Sequence, residues 1–408
     1  MTVISCAKWA HRREARLRNN CFETRSSRTC ETTICLLRAS DLGLFLIKNK
    51  RNIARRSTIR QMQSIRDTVQ VFLADSGIGW QEVVLCAIAL HTLRQIMTFV
   101  LANCDLDLFS KRDPPSNAYR GKVVWIVGAS KGLGQELALH FASLGAKLIL
   151  SSRSAEKLEQ VKLECLSYVQ EDDVVILPLD ITSDYSEIET VTDQVFKQFG
   201  QFGVDYIIHN AGASQHAAVE ETNYNVAREL IEKNLMGQIA VARASLPAML
   251  KYGKGHHIVI ASMAACVPSP GQAVYSAAKS ALKSYFLSLS SELSARGIYA
   301  TVVCPGPIHS DESEARMVYG KDGLIPQKNT SNSKKRVPVK VVASLVAKAA
   351  YHKLDECWIS NHPILLMGYL VEYLPKVAMR LLKKIGPGRV KQFSDGKGTG
   401  YEFSKMLK

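Results

Sequence analysis

No pair of cysteines stands at C-x-x-C spacing and no histidine-rich cluster accompanies the ten cysteines, so zinc-ligand patterns are missing and no metal is expected. Internal repeats are missing too. Thirteen prolines and 25 glycines in 408 residues are too few for a fibrous or low-complexity protein. With 47% apolar and 22% charged residues the composition is globular, neither that of a disordered chain nor that of a polytopic membrane protein. The length suits one large domain with extensions, or two ordinary domains. Cys165, Cys266 and Cys304 stand among apolar or small residues, the usual setting of a buried reduced thiol. A cytosol-facing domain is therefore expected.

The formal charge of +15 raises nucleic acid or an anionic membrane as a partner, depending on where it sits. Residues 1–66 hold 15 Lys and Arg, with Arg12, Arg13, Arg55 and Arg56 among them, against four acids, and so carry +11. Residues 67–408 carry only +4. The basic segment is rich in Arg, Ser and Thr and poor in acid. It reads as a disordered tail or as sequence upstream of a later start such as Met62; organelle import is the alternative, because transit peptides share this composition. No nucleic-acid recognition motif accompanies it, so no nucleic-acid partner is expected.

The longest apolar run is VVLCAIALHTLRQIMTFVL, residues 83–101. A spanning helix needs about 20 such residues. Arg94, near the middle, would cost roughly 2.5–3.5 kcal/mol on insertion. His91, Arg94, Gln95 and Thr98 fall on one helical face. Residues 80–104 are thus expected to form an apolar, membrane-associating helix, with spanning, interfacial and partner-docked forms all open. Residues 361–408 are an apolar and then basic extension, with Leu365, Leu366 and Leu370 ahead of Lys376, Arg380, Lys383 and Lys384. Such a stretch can touch anionic lipid or cover a substrate pocket.

From Gly121, runs rich in Val and Ile alternate with helical patterns. The strands expected are 123–127, 147–151, 174–179, 205–209, 256–261 and 299–304, with helices over 135–144, 156–168 and 277–295 between them. That alternation predicts an α/β fold, a single doubly wound parallel sheet of Rossmann type over 121–360, carrying an N-terminal extension and an apolar anchor helix. The first strand runs into VGASKGLGQELALHF. Gly128, Gly132 and Gly134 at a strand-to-helix turn let a pyrophosphate approach the helix N-terminus. The second strand ends in Ser151, Ser152 and Arg153 where an acid would select a free ribose hydroxyl. Two cations, Arg153 and Lys131, and no carboxylate point to NADP(H). Further on, Tyr275 and Lys279 stand at i and i+4, with Ser262 thirteen residues before the tyrosine. A lysine ammonium favours the phenolate of a nearby tyrosine and so suits it to proton exchange.

With HNAG (209–212), Asn234 in KNLMG and CPGPIHS (304–310) in the same order, the chain resembles a classical short-chain dehydrogenase/reductase over about 121–360. The resemblance implies a catalytic tetrad of Asn234, Ser262, Tyr275 and Lys279, with Asn234 holding a water in a proton relay to Lys279. It implies cofactor contacts from Gly128, Ser130, Lys131, Gly132, Leu133 and Gly134 of the turn, and from Arg153. Asp180 and Ile181 would meet the adenine, and Asn210, Ala211 and Gly212 would line the cofactor. Tyr275 and Lys279 would reach the nicotinamide ribose, with Pro305, Gly306, Ile308 and Ser310 beside the nicotinamide. Three positions depart from the family pattern. Val127 replaces a threonine, His209 an asparagine and Ser310 a threonine, which bears on cofactor affinity more than on chemistry. His209 reads as structural.

DLDLFSKR before the domain and CWISNHPILLMGYLVEYLPK after it resemble the dehydrogenase/reductase member 7 group, an endoplasmic-reticulum membrane branch. That resemblance implies an NADP(H)-dependent carbonyl reductase or alcohol dehydrogenase on a lipophilic substrate such as a steroid, retinoid or quinone. A catalytically silent NADP(H)-binding membrane adaptor is the alternative, and a homodimer is allowed for. Residues 311–337 would form the variable substrate loop, whose shape a single sequence does not give.

Overall fold

In the computed structural model the described residues are 80–200, 203–309, 316–327 and 336–394; the basic segment 1–66, Ser310 and the stretches 311–315 and 328–335 lie outside them. The chain divides into two units, one reaching Arg94 and the other beginning at Gln95.

Among the described residues the second unit has eleven strands: β1 (Val123–Val127), β2 (Lys147–Ser151), β3 (Val174–Ile176), β4 (Tyr206–His209), β5 (Gly255–Ile260), β6 (Ile298–Pro305), β7 (Ile308–His309), β8 (Arg316–Tyr319), β9 (Leu324–Gln327), β10 (Val337–Pro338) and β11 (Glu356–Ile359). Seven of them form one sheet in the order β3-β2-β1-β4-β5-β6-β11, every pair parallel. Parallel strands need crossovers, and the crossovers bury both faces of the sheet, which is why β1 and β5 are buried along their whole length.

The helices are α1 (Trp80–Val100), α2 (Leu106–Ser110), α3 (Gly132–Ser143), α4 (Ala155–Cys165), α5 (Tyr185–Lys197), α6 (Tyr224–Ile231), α7 (Gly237–Tyr252), α8 (Ala273–Leu293), α9 (Val339–Tyr351), α10 (Ile364–Tyr373) and α11 (Pro375–Ser394). One face of the sheet packs on α3, α4 and α9 through Leu137, Phe141, Leu158, Val342 and Val346. The other packs on α5, α7 and α8 through Ile188, Val195, Val241, Leu282 and Phe286. The doubly wound parallel sheet is therefore the architecture found.

Strand order reverses between β1 and β4, and the crevice beyond their C-terminal ends is where such sheets hold ligands. The glycine turn follows β1 there, and Asn210 to Gly212 follow β4.

The run 174–179 leaves regular pairing after Ile176, although Leu177 N–H still donates to Leu150 O at 3.0 Å. The edge strand β11 was not among the expected strands. Asp105 docks the preceding segment onto it: Asp105 N–H donates to Trp358 O at 2.9 Å, Trp358 N–H donates back to the Asp105 carboxylate, and that carboxylate also caps α2 through Leu108 N–H at 2.9 Å.

The apolar segment does form a helix, α1, of 21 residues ending at Val100. Among the described residues, however, no helix is long and apolar enough to cross a membrane. The spanning form of the expected anchor is corrected on that point; Arg94 and its polar neighbours interrupt the apolar surface.

Candidate active site

The turn after β1 is shaped by close backbone contact. Gly128 has φ +92°, and a Cβ there would lie 2.7 Å from the Ala211 backbone. Asn210 Nδ2 donates to Gly128 O at 2.8 Å, tying the β1 and β4 ends together, while Gly134 packs directly on Gly128 O. Lys131 caps α3 with extended backbone and no side-chain bond to the helix. The first N–H groups of α3 are thus left to whatever occupies the crevice.

That crevice is a cleft of about 610 Å3. Gly128, Ser130, Lys131, Gly132 and Leu133 form one wall and Asp180, Ile181, Asn210, Ala211 and Gly212 another. Arg153 and Lys131 line it and are exposed. Gly134 lies behind the turn, buried. Ser151 turns inward, accepting from Trp125 Nε1 at 2.9 Å and donating to Leu177 O at 2.6 Å, so Ser152 and Arg153 present the end of β2 to the cleft. Asp180 is engaged locally, accepting from Thr182 N–H at 3.0 Å and Thr182 Oγ1 at 2.8 Å. Open helix N–H groups, small residues and the cations Lys131, Arg153, Lys157 and Lys233 suit a dinucleotide, so the residues present fit the nicotinamide nucleotide that the fold implies.

A second cavity of about 190 Å3 adjoins the cleft, sharing Leu133, Asn210, Gly212, Ala213, Ser214 and Ile308 with it. Asn234, Ser262, Tyr275 and Lys279 all line this cavity, from three different elements. Ser262 follows β5 and accepts from Ala264 N–H at 3.1 Å, which leaves its own O–H to donate. Tyr275 and Lys279 lie on α8. Lys279 is buried and donates to Ile260 O at 2.9 Å. Burial pulls its pKa down to about 8, the Cys304 thiol nearby opposing part of that shift.

Asn234 sits in a π-helical turn, Glu232–Met236, between α6 and α7. Its Oδ1 accepts from Ala213 N–H at 3.1 Å, and its Nδ2 donates to Ala213 O and Leu230 O, both at 3.0 Å. One amide hydrogen and Oδ1 therefore hold the Ala213 loop, and the other amide hydrogen is committed to Leu230 O. A Cβ on Gly212 would come within 2.7 Å of Asn234 Oδ1 and 3.4 Å of Lys279 Nζ, which explains glycine there. Pro305, Gly306 and Ile308 line the same cavity. Ser310 lies outside the described residues.

His209 is buried, with Nδ1 3.2 Å from Gln238 Oε1 and Nε2 3.0 Å from His257 Nδ1. Gln238 donates through Nε2 to Ala211 O, so its Oε1 must accept from His209, whose Nε2 then accepts from His257. Burial, with the neighbouring His257, holds His209 well below the usual imidazole pKa. Its ring is a neutral strut under the Ala211 loop.

Sequence reasoning missed several residues. Gln215 Oε1 accepts from Val274 N–H and Tyr275 N–H, both at 3.1 Å, and so caps the helix that carries the tyrosine. Residues 60 positions apart give no local signal for such a cap. The π turn, His216, Gln272, Arg336 and, from the C-terminal helix α11, Arg389 and Phe393 were missed as well; apart from the turn, all line the cavity. The loop 311–337 contributes the hairpin β8–β9, joined to Ser214 and His216 by backbone bonds from Tyr319. Among the described residues, Cys266, Cys304 and Glu356 form one group with metal-ligand atoms close together. The Lys283 ammonium already sits 2.7 Å from Glu356 Oε1 and 3.8 Å from Cys266 Sγ, so the carboxylate has its counter-cation.

A glycine turn at the strand-order reversal, opening onto a cavity with Asn, Ser, Tyr and Lys, defines a dehydrogenase/reductase of the short-chain class. A family profile described as short chain dehydrogenase matches residues 122–317. The chain belongs to the short-chain dehydrogenase/reductase family of oxidoreductases. Dehydrogenase/reductase SDR family member 7 of Mus musculus is 34% identical over 334 residues, covering 79% of this chain and 96% of that protein. The Homo sapiens protein of that name is 34% identical over 333 residues, covering 80% and 96%. The SDR family protein 7-like of Drosophila melanogaster is 33% identical over 258 residues, covering 59% and 78%. Among solved structures, a short chain dehydrogenase of Bacillus anthracis aligns with a TM-score of 0.49 at 22% identity, over 60% of this chain and 95% of that one.

Proposed function

We propose that the protein is an NADP(H)-dependent oxidoreductase that interconverts a carbonyl and a secondary alcohol on a lipophilic substrate. The observation that carries this reading is the meeting of Ser262, Tyr275 and Lys279 in a cavity continuous with the dinucleotide cleft. When bound there, the nicotinamide supplies or accepts a hydride. Tyr275 gives its phenolic proton to the carbonyl oxygen, or takes it back from the alcohol. Ser262, whose Oγ already accepts from Ala264 N–H, donates its hydrogen to the same oxygen. Lys279 keeps two N–H groups beyond its bond to Ile260 O, enough to steady a ribose hydroxyl and favour the phenolate. Asn234 clamps the Ala213 loop, and a relay water would use its main chain or the remaining lone pair on Oδ1.

The preference for NADP(H) is supported by Lys131 and Arg153 at the cleft and by the want of a carboxylate at the end of β2. The printed names of the relatives, dehydrogenase/reductase, fit the same reaction class. Exposed Leu85, Ile88, Leu90 and Leu93 on α1 support membrane association, at the endoplasmic reticulum if the likeness to the member 7 group extends to location.

The deciding experiment follows NADPH and NADH oxidation by the full chain across a panel of carbonyls, beside Tyr275→Phe. Wild type is expected to prefer NADPH, and the variant to lose roughly a hundredfold to ten-thousandfold in turnover while still binding NADPH. Unchanged turnover in Tyr275→Phe would sink the proton-transfer scheme. Tight NADPH binding with no turnover of any carbonyl would favour a cofactor-binding adaptor instead.

A further inference from the structure

Two thiols stand beside the parts that build the reaction cavity. Cys266 follows Ser262 by four residues, and Cys304 on β6 directly precedes Pro305 and Gly306. Their sulfurs and a Glu356 carboxylate oxygen all lie within 4.8 Å of one another. Cys304 is wholly buried, whereas Cys266 is only half-buried. Helix α8, which carries Lys279, contributes Lys283 to the same place one turn on. Ser280 Oγ of that helix also donates to Ala265 O at 3.2 Å. The Ser262 loop, β6 and α8 therefore meet at the thiol pair.

The two cysteines are chemically unequal. Cys266 Sγ donates to Glu356 Oε1 at 3.5 Å, and Lys283 Nζ faces the same sulfur at 3.8 Å. A carboxylate can thus take the thiol proton while an ammonium meets the charge that develops on sulfur. Glu356 Oε1 also accepts from Lys283 Nζ and Trp358 Nε1, both at 2.7 Å, which fixes it as a proton acceptor and leaves it poorly placed for a metal ion. The adjacent Cys266 thiol, together with burial, holds the Cys304 thiol well above its ordinary pKa, so Cys304 stays protonated. A reachable sulfur beside a base, backed by a buried thiol, is the arrangement of an attacking and a resolving cysteine.

We propose that Cys266 and Cys304 are a peroxide-sensitive pair that closes to a disulfide and so draws the Ser262 loop against β6. The oxidant is hydrogen peroxide. The Cys266 sulfur attacks one peroxide oxygen, the O–O bond breaks, and the departing hydroxide leaves as water with the thiol proton passed through Glu356. The Cys304 sulfur then attacks the sulfenic acid on Cys266. The S–O bond breaks, and the hydroxyl departs as a second water with the Cys304 proton. Two thiols and one peroxide give one disulfide and two waters. A disulfide holds its sulfurs about 2.05 Å apart, closer than two thiols can approach, so closure moves the loop, the strand or both. Ser262, at the start of that loop, is carried away from the oxygen it serves.

The test exposes the reduced full chain to hydrogen peroxide, alkylates it and digests it with trypsin without reduction. Peptides 255–279 and 297–316 each carry a single cysteine, Cys266 and Cys304 respectively. Mass spectrometry is expected to find them joined, lighter by two hydrogens than the two peptides together, and separated again by dithiothreitol. In Cys304→Ser the sulfenic acid on Cys266 persists and is captured by dimedone, while in Cys266→Ser the Cys304 thiol stays reduced. Sulfinic acid on Cys266 with Cys304 still free overturns the proposal, as does a pair that stays reduced while other cysteines react. Should Cys304→Ser fail to fold, the wild-type linkage and the state of Cys304 in Cys266→Ser decide. None of these readouts depends on the carbonyl-oxidoreductase reading. For any carbonyl that is turned over, peroxide is expected to lower wild-type kcat by about tenfold or more, reversibly with dithiothreitol, and to leave Cys266→Ser at its untreated rate. A joined pair with unchanged kcat would overturn the displacement of Ser262.

Discussion

Lys279 is a cation kept inside the protein against its own solvation. Its pKa falls from 10.5 to about 8 on folding, and burial is the main cause. The unfolded chain therefore binds more protons than the folded one between pH 8 and 10.5, and in that window the contribution of this residue to stability rises with pH. Below pH 8 both states are protonated and the full cost of burial is present. Denaturant unfolding of wild type and Lys279→Met without cofactor is expected to show a stability difference that shifts in favour of wild type as pH climbs from 8 to 10. A difference independent of pH would mean that the ammonium is solvated in the folded state. The three core histidines act in the other window. His256 and His257 are held to about 3 by burial, and His209 is shifted the same way, so they stay neutral in the fold. As pH drops below 6.5 the unfolded chain takes up protons that these rings refuse, and stability is lost. Protonating His257 would also place a hydrogen on a buried Nε2 that has no hydrogen-bond partner. A replacement such as His209→Asn is expected to flatten the loss of stability between pH 6.5 and 5, measured by unfolding against pH.

At the scale of elements, the tyrosine is aimed by parts that come from far along the chain. Gln215 is wholly buried and closes the N-terminus of α8, accepting from both Val274 and Tyr275 while its Nε2 donates to Thr222 Oγ1 at 3.0 Å. Gln215→Ala removes a cap worth about 1 kcal/mol. Because the first turn of α8 then loosens, kcat should fall by roughly tenfold or more while the affinity for NADPH, measured by fluorescence titration, stays near wild type. A loss of stability with kcat unchanged would show that the cap serves folding alone. This dependence marks the limit of what the sequence reveals. Strands 123–127 and 147–151 and the Tyr275–Lys279 spacing are legible because period and motif are local properties, and both strands have the expected bounds. The same holds for the glycine turn, whose residues face the cleft except for Gly134. Gln215, Arg389 and the Asp105 clasp on β11 are not legible, since each acts on a partner 60 to 253 positions away. The π turn at Asn234 is not legible either, since no residue pattern in KNLMG marks the change from i+4 to i+5 bonding. It arises where Asn234 reaches across to Ala213 while its amide also satisfies Leu230 O.

On the scale of the whole molecule, charge and apolar residues are segregated along the sequence, and the segregation separates two ways in which the proposed membrane contact would be made. Of the net +15, residues 1–66 carry +11, a concentration able to attract anionic lipid through space. Helix α1 instead offers apolar side chains: Leu85 and Leu90 are each 66% exposed. Apolar side chains left exposed in this number drive partition by area removed from water, at about 25 cal/mol per Å2, and salt does not screen that term. Electrostatic attraction is screened within about 3 Å in 1 M salt. The full chain is therefore expected to float with neutral phosphatidylcholine vesicles and to stay bound in 1 M salt. Adding phosphatidylserine should increase binding only at low salt, and removing residues 1–66 should abolish that increase and nothing more. Complete release by salt would show that the tail alone makes the contact. Failure of the neutral vesicles to bind at any salt would assign the exposed apolar side chains of α1 to a protein partner.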